Sequence, residues 1–198
     1  MRGAGGFFAA LKSHPSPRTR RAAPAGRVEV RAARETDLAQ IAAIWNYEVQ
    51  CTDSTTDTEP RDPLAQREWF ARHTERYPVV VATAASDDPE RDGVVVAYGS
   101  LSPYRPKPAF ARTVEDSVYV ARDRRGLGLG SLILAELIRR ARMLEHHSIV
   151  ARITAKNAAS LRLHARHGFR PVGVERESAF KLGRWHDVAI VQRRLDSR

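Results

Sequence analysis

From Val28 onward apolar and polar positions alternate, Val28, Val30 and Ala32 against Glu29 and Arg31, the two-residue period of a strand with one buried face. Glu35-Thr36-Asp37 then supplies acidic helix-start residues, and Leu38, Ile41, Ile44 and Trp45 recur at three- and four-residue steps, which predicts a helix to about Gln50. Asp53 to Pro63, full of Thr, Asp and Pro, reads as a loop, and a second helix is expected over Leu64 to about Arg76. Tyr77 to Ala82 and Gly93 to Tyr98 are β-rich runs joined by the polar stretch Ala85 to Asp92, the pattern of an antiparallel hairpin with a loose turn. Strands over Val114 to Val120 and Ser148 to Ile153 follow, with a helix from Leu129 to about Leu144 between them. A helix over Ala158 to His167 and strands over Phe169 to Val174 and Val188 to Leu195 close the pattern. No internal repeat is visible, and the order is α/β with a mixed sheet.

This pattern occupies residues 27–198 as one domain. Residues 1–26, rich in Ala, Gly, Arg, Pro and Ser, carry no period that buries a face and read as a disordered basic extension. Of the net charge of +10, +6 falls within residues 1–27, which hold no acid, so only +4 belongs to the rest. That distribution weakens a nucleic-acid reading of the charge, and no basic-aromatic motif supports one. The single cysteine, Cys51, permits no internal disulfide, suits a reducing compartment and is read as a partly buried thiol. No apolar run approaches the roughly eighteen residues that cross a bilayer, so a cytoplasmic protein with no membrane partner is expected.

The chemistry concentrates where the strand Val114 to Val120 meets the next helix. Arg125-Gly126-Leu127-Gly128-Leu129-Gly130 leaves backbone N–H groups unshielded at a helix N-terminus, where a pyrophosphate is best held. With Glu115 ten residues earlier and Asn157-x-x-Ser160 about thirty later, the pattern Arg-x-x-Gly-x-Gly points to a coenzyme A cradle and an acyltransferase. Asn157, between a strand and a helix, also suits an N-cap. His164 and His167 stand three apart on a helix, but no carboxylate or cysteine pair accompanies them and no metal is expected.

With those motifs in place, the chain resembles the GNAT superfamily of N-acetyltransferases, and more narrowly the phosphinothricin acetyltransferase family. The narrower likeness rests on Thr113 to Val120 (TVEDSVYV), on Ser160 to Phe169 and on Gly183-Arg184-Trp185-His186-Asp187-Val188, and spans about residues 28–195. It implies a twisted, mixed and mostly antiparallel sheet flanked by helices. In it the parallel strands Val114 to Val120 and Ser148 to Ile153 splay apart around the pantetheine arm of acetyl-CoA. It also implies a homodimer.

Acetyl transfer needs a neutral amine, yet such amines are largely protonated at pH 7, so a base must take a proton. Glu115 matches the family's catalytic carboxylate. Val118 matches the backbone donor to the thioester oxygen of the tetrahedral intermediate, with Tyr119 and Val120 flanking the pantetheine arm through their main chain. Arg125, Gly126, Leu127, Gly128, Leu129, Gly130 and Ser131 are expected to hold the pyrophosphate, and Asn157 and Ser160 to approach the arm. His164 stands where the superfamily commonly has a tyrosine and where this branch carries histidine, and is the candidate acid for the leaving thiolate. Arg105, Lys107 and Phe110 are the candidate acceptor-binding residues. There the chain has lysine and phenylalanine where the family has arginine and tyrosine, and Thr56 in place of an aromatic residue.

The expected function is transfer of the acetyl group to the primary amine of a small amino-acid-like acceptor, of the phosphinothricin or methionine sulfoximine type. Acetylation of a peptide N-terminus or an RNA-linked amine, and a non-catalytic acyl-CoA-binding module, are the alternatives.

Overall fold

In a computed structural model of the protein, residues 28–85 and 93–195 are described; residues 1–27, 86–92 and 196–198 lie outside them, and with them the expected disordered extension and loose turn. Among the described residues seven strands form one sheet: β1 (Val28–Ala32), β2 (Val79–Ala84), β3 (Val94–Pro103), β4 (Thr113–Val120), β5 (Ser148–Thr154), β6 (Arg170–Lys181) and β7 (Arg184–Arg194). Their order across the sheet is β1-β2-β3-β4-β5-β7-β6. Among the described residues only β4 and β5 run parallel; every other pair is antiparallel.

Alternation along β2 divides the core into two layers. Val79 and Val81 pack with Leu38, Ile41, Trp45 and Val49 of α1 (Leu38–Cys51) and Trp69 of α2 (Pro63–Ala71). Val80 and Ala82 face the other way, toward Ile133, Leu134 and Leu137 of α3 (Leu129–Met143), in a cluster that also takes Leu161 of α4 (Ala158–Arg166). α3 lies close on the sheet because β3 offers Gly99 beneath it. A β-carbon there would stand 2.5 Å from Ile133 Cγ2 and 2.8 Å from the Ser117 carbonyl.

The feature that makes a site is a short ladder. β4 and β5 pair only from Thr113 to Glu115 against Ser148 to Val150. Beyond that β4 stays with β3 as far as Val120, and β5 stays with β7 as far as Thr154. The facing edges therefore open into a V from Asp116 and Ala151 onward.

Several expectations are corrected. α2 ends at Ala71, and Thr74 accepts the Tyr77 N–H in a turn ahead of Pro78. β6 and β7 are far longer than their apolar patterns, and Trp185, His186 and Asp187 lie in β7, just beyond a turn at Leu182 and Gly183 with φ of 51° and 72°. The added length has little burial to read: Phe180 and Trp185 pair across the strands at 5.2 Å while both stay exposed, and a register shift separates Glu175 from Ala179. Cys51 is exposed at the end of α1. His146 is a buried residue with Nε2 2.9 Å from the Arg76 carbonyl, and burial holds its pKa below the usual histidine value.

Candidate active site

The glycine segment reaches α3 through two left-handed residues, Gly126 at φ +80° and Gly128 at φ +83°; a β-carbon on either would meet nothing within 4 Å. Gly128 is the N-cap of α3, so the first amides of the helix have no partner within it and point outward with the positive end of the helix dipole. Among the described residues, the N–H groups of Gly126, Leu127 and Gly128 donate to no backbone carbonyl. Leu129 is buried and Leu127 packs on the same core, which leaves the main chain to face the cleft. The surface is an open set of amides matched to a diphosphate. A cleft of about 560 Å³ runs from this turn past Gly130, Ser131 and Asn157 into the V between β4 and β5.

Strand alternation settles which amides face that V. Ala121 N–H donates to the Val96 carbonyl at 2.9 Å, so Tyr119 and Ser117 also direct their backbone groups toward β3. Asp116, Val118 and Val120 consequently turn theirs to the gap. Val118 and Val120 thus present their main chain to the gap, whereas Tyr119 borders the cleft and spends its main chain on the β3 ladder.

Side chains alternate too, and the adjacent acids Glu115 and Asp116 leave β4 on opposite faces. Glu115 is half-buried and burial raises its pKa above the usual carboxylate range; Arg152 opposes the rise, while Asp116 and Glu175 add to it. A raised pKa makes this carboxylate a stronger proton acceptor near neutral pH. Asp116 instead meets His164 of α4, with Oδ2 3.0 Å from Nε2 and both side chains buried. The second ring nitrogen, Nδ1, lies 2.8 Å from the Ser160 carbonyl. Burial disfavours the charged ring, but the attraction and hydrogen bonds of Asp116 and Ser160 outweigh it and raise the His164 pKa. With an acceptor opposite each nitrogen, the arrangement suits an imidazolium whose two protons are both engaged.

Asn157 caps α4 by accepting the Ser160 N–H at 3.0 Å, and Ser160 Oγ lies 3.4 Å from His164 Nδ1. Ser131 Oγ is 2.7 Å from His167 Nε2. Arg125 does not turn toward the amides it precedes; its guanidinium is bonded to buried Glu48 of α1 and to the Val120 carbonyl.

A second cleft, about 580 Å³, is lined by Tyr104, Arg105, Pro106, Lys107, Phe110, Glu115 and Arg152. The three candidate acceptor residues thus gather around Glu115. Arg105 lies over the rings of Tyr104 and Phe110 at 5.1 and 5.7 Å. Glu115 and Arg152 line both clefts and form the wall where they meet.

The acetyltransferase (GNAT) family profile matches residues 41–169. The chain belongs to the GNAT family. Over 168 residues this GNAT chain is 41% identical to a phosphinothricin N-acetyltransferase of Streptomyces coelicolor, covering 85% of this chain and 96% of that one. Over 168 residues it is also 41% identical to an L-methionine sulfoximine/L-methionine sulfone acetyltransferase of Pseudomonas paraeruginosa, covering 84% and 94%. The crystal structure of a GNAT superfamily phosphinothricin acetyltransferase from Sinorhizobium meliloti in complex with acetyl-CoA superposes with a TM-score of 0.78 at 32% identity, covering 85% and 88%. Both the broad and the narrow resemblance read from the motifs are borne out. The protein is an acetyl-CoA-dependent N-acetyltransferase.

Sequence reasoning missed four residues of this neighbourhood, Glu48, Asp116, Arg152 and Lys181. The signals for three were present. Glu48 falls on the buried stripe of α1, three residues after Trp45; Asp116 follows Glu115 on a strand, so one of the two acids must face the helix layer; Arg152 is a charge inside an apolar strand. Lys181 lies in the part of β6 that the pattern does not reveal.

Proposed function

We propose that the protein acetylates the primary amine of a small amino acid, with Glu115 as the base, the Val118 and Val120 amides lining the acetyl-bearing gap, and Arg105 and Lys107 receiving the acceptor's anionic group. The observation that carries this reading is the shared wall: one half-buried carboxylate of raised pKa borders both the amide-lined cleft and the basic cleft. When bound, acetyl-CoA supplies an activated acetyl group. Glu115 takes a proton from the acceptor's ammonium, directly or through one water, so that the nitrogen lone pair is free. The Val118 N–H is fixed by the β3–β4 ladder before any ligand arrives, so it can meet a developing negative charge without reorganisation. Asp116 and Ser160 hold the His164 ring beside the cleft. The cationic side chains Arg105, Lys107 and Arg152 favour an acceptor that carries a carboxylate, and the relatives' phosphinothricin and methionine sulfoximine are amines of that kind. The family likeness extends the proposal to a homodimer.

Glu115→Gln tests the assignment. Thiol release from acetyl-CoA with a panel of amino acids is expected to fall at least about a hundredfold, while acetyl-CoA affinity by calorimetry stays within about twofold. Turnover like the parent's in that variant removes Glu115 from the mechanism.

A further inference from the structure

Arg125 opens the diphosphate turn, and the natural expectation is that its guanidinium reaches the phosphates. It is instead held by Glu48, whose side chain is only 3% exposed. The other oxygen of the same carboxylate, Oε2, accepts the Thr52 hydroxyl at 2.7 Å. Thr52 Oγ1 in turn accepts the Ser54 N–H at 3.1 Å, and so fixes the start of the segment Thr52 to Asp57. Lys181, buried at the end of β6, closes the same knot by donating to the carbonyls of Glu48 at 3.2 Å and Thr55 at 2.9 Å. Ser54 through Asp57 line the same cleft as the glycine turn and Tyr119 of β4. One carboxylate therefore ties the first residue of the glycine turn to a segment that lines the same cleft.

Charge supports the same conclusion. An unpaired carboxylate buried in the wall of a cleft that receives a diphosphate would repel it, and a buried charge without a partner is costly in itself. Arg125 neutralises Glu48, and in doing so it surrenders its role as a free cation, leaving the diphosphate to the amides.

We propose that Glu48 is a positioning residue that acts on acetyl-CoA through Arg125 and on the acceptor side through Thr52, coupling the order of the two segments. The inference rests on the glycine turn as the diphosphate site, not on the identity of the acceptor. Its test can therefore fail while the proposed function stands. CoA affinity would be measured by calorimetry, with no acceptor present, for the parent, Glu48→Gln, Arg125→Met and the double variant. Each single change is expected to weaken CoA about tenfold, the loss of one charge-assisted bond, and the double variant no more than either single one. If Arg125 grips phosphate instead, removing Glu48 frees it and CoA binds tighter, or the two losses add; either result overturns the proposal.

Arg125 is 45% exposed, so Arg125→Met is expected to fold even if the Glu48 variant does not. In the double variant, which removes both charges and so keeps the parent's local net charge, the dependence of CoA affinity on salt is expected to match the parent's, because no contact between guanidinium and phosphate is lost. A salt dependence shallower by about one charge would overturn the proposal. Thr52→Val adds the acceptor arm, with the acceptor KM rising several-fold and CoA affinity held within about twofold. An unchanged KM there would sever the coupling.

Discussion

Asp116 Oδ2 stands 3.0 Å from His164 Nε2 with both side chains buried, and it joins β4 to α4 directly beneath the cofactor cleft. Read from the sequence, His164 is an acid for the departing thiolate. In the structure its two nitrogens already face Asp116 and the Ser160 carbonyl. A proton passed to the thiolate from this arrangement would cost one of those bonds. The pair fixes the ring and ties the helix that carries Asn157 and Ser160 to β4.

Asp116→Asn is expected to destabilise the fold by about 3 kcal/mol, since it strips a buried charge of its partner. The loss should depend on pH. His164 has a raised pKa in the folded protein, so the pair's contribution is fully present below the ordinary histidine pKa of about 6.5 and is lost as pH rises through the folded value. Urea unfolding at pH 6 and pH 9 checks this: the gap between parent and variant should be wider at pH 6. A gap independent of pH would mean that the ring is neutral and the bond an ordinary one.

Arg152 and Glu175 form a second pair, bonded through both guanidinium arms and flanking Glu115. Their charges act on Glu115 in opposite senses, Arg152 lowering its pKa and Glu175 raising it, on top of the larger upward effect of burial. Each pair member is more than a third exposed, so both influences are screened by solvent. Arg152→Leu should move the acid limb of the kcat/KM profile to higher pH, and Glu175→Gln should move it to lower pH. If both variants keep the parent's limb, the group that titrates there is not Glu115.

The elements of the fold that bury a face were legible in the sequence, because burial is what imposes a period. Val28 and Val30 pack on the core as the alternation puts them, the α1 stripe is buried, and the β-rich runs form the antiparallel pair β2–β3, while Ala32 at the end of β1 is exposed. The stretches without a buried face were not legible. The outer half of the β6–β7 ribbon holds exposed Phe180, Leu182 and Trp185, and its geometry is set by cross-strand pairing and the turn at Leu182 and Gly183. The site divides along the same line. Glu115, the glycine turn and Asn157 are local motifs, whereas the partners of Glu48 and Asp116 lie 77 and 48 residues away and are joined only by the tertiary fold.

Gly128 and Gly183 allow the cradle to be tested against a matched control. Both have left-handed backbone, φ +83° and +72°, and a β-carbon on either meets nothing within 4 Å. Alanine at each position should therefore cost a similar 1–2 kcal/mol, roughly the penalty of that conformation for an L-residue. The two differ in what lies outside: Gly128 borders the cofactor cleft, while Gly183 forms the tip of the β6–β7 ribbon. Gly128→Ala puts a methyl group where the diphosphate must approach the amides, and CoA affinity should fall by more than about tenfold. Gly183→Ala should leave CoA affinity unchanged at the same loss of stability. Thermal unfolding and calorimetry on the two variants separate strain from obstruction, and equal CoA affinities in the two would show that the turn does not hold the diphosphate.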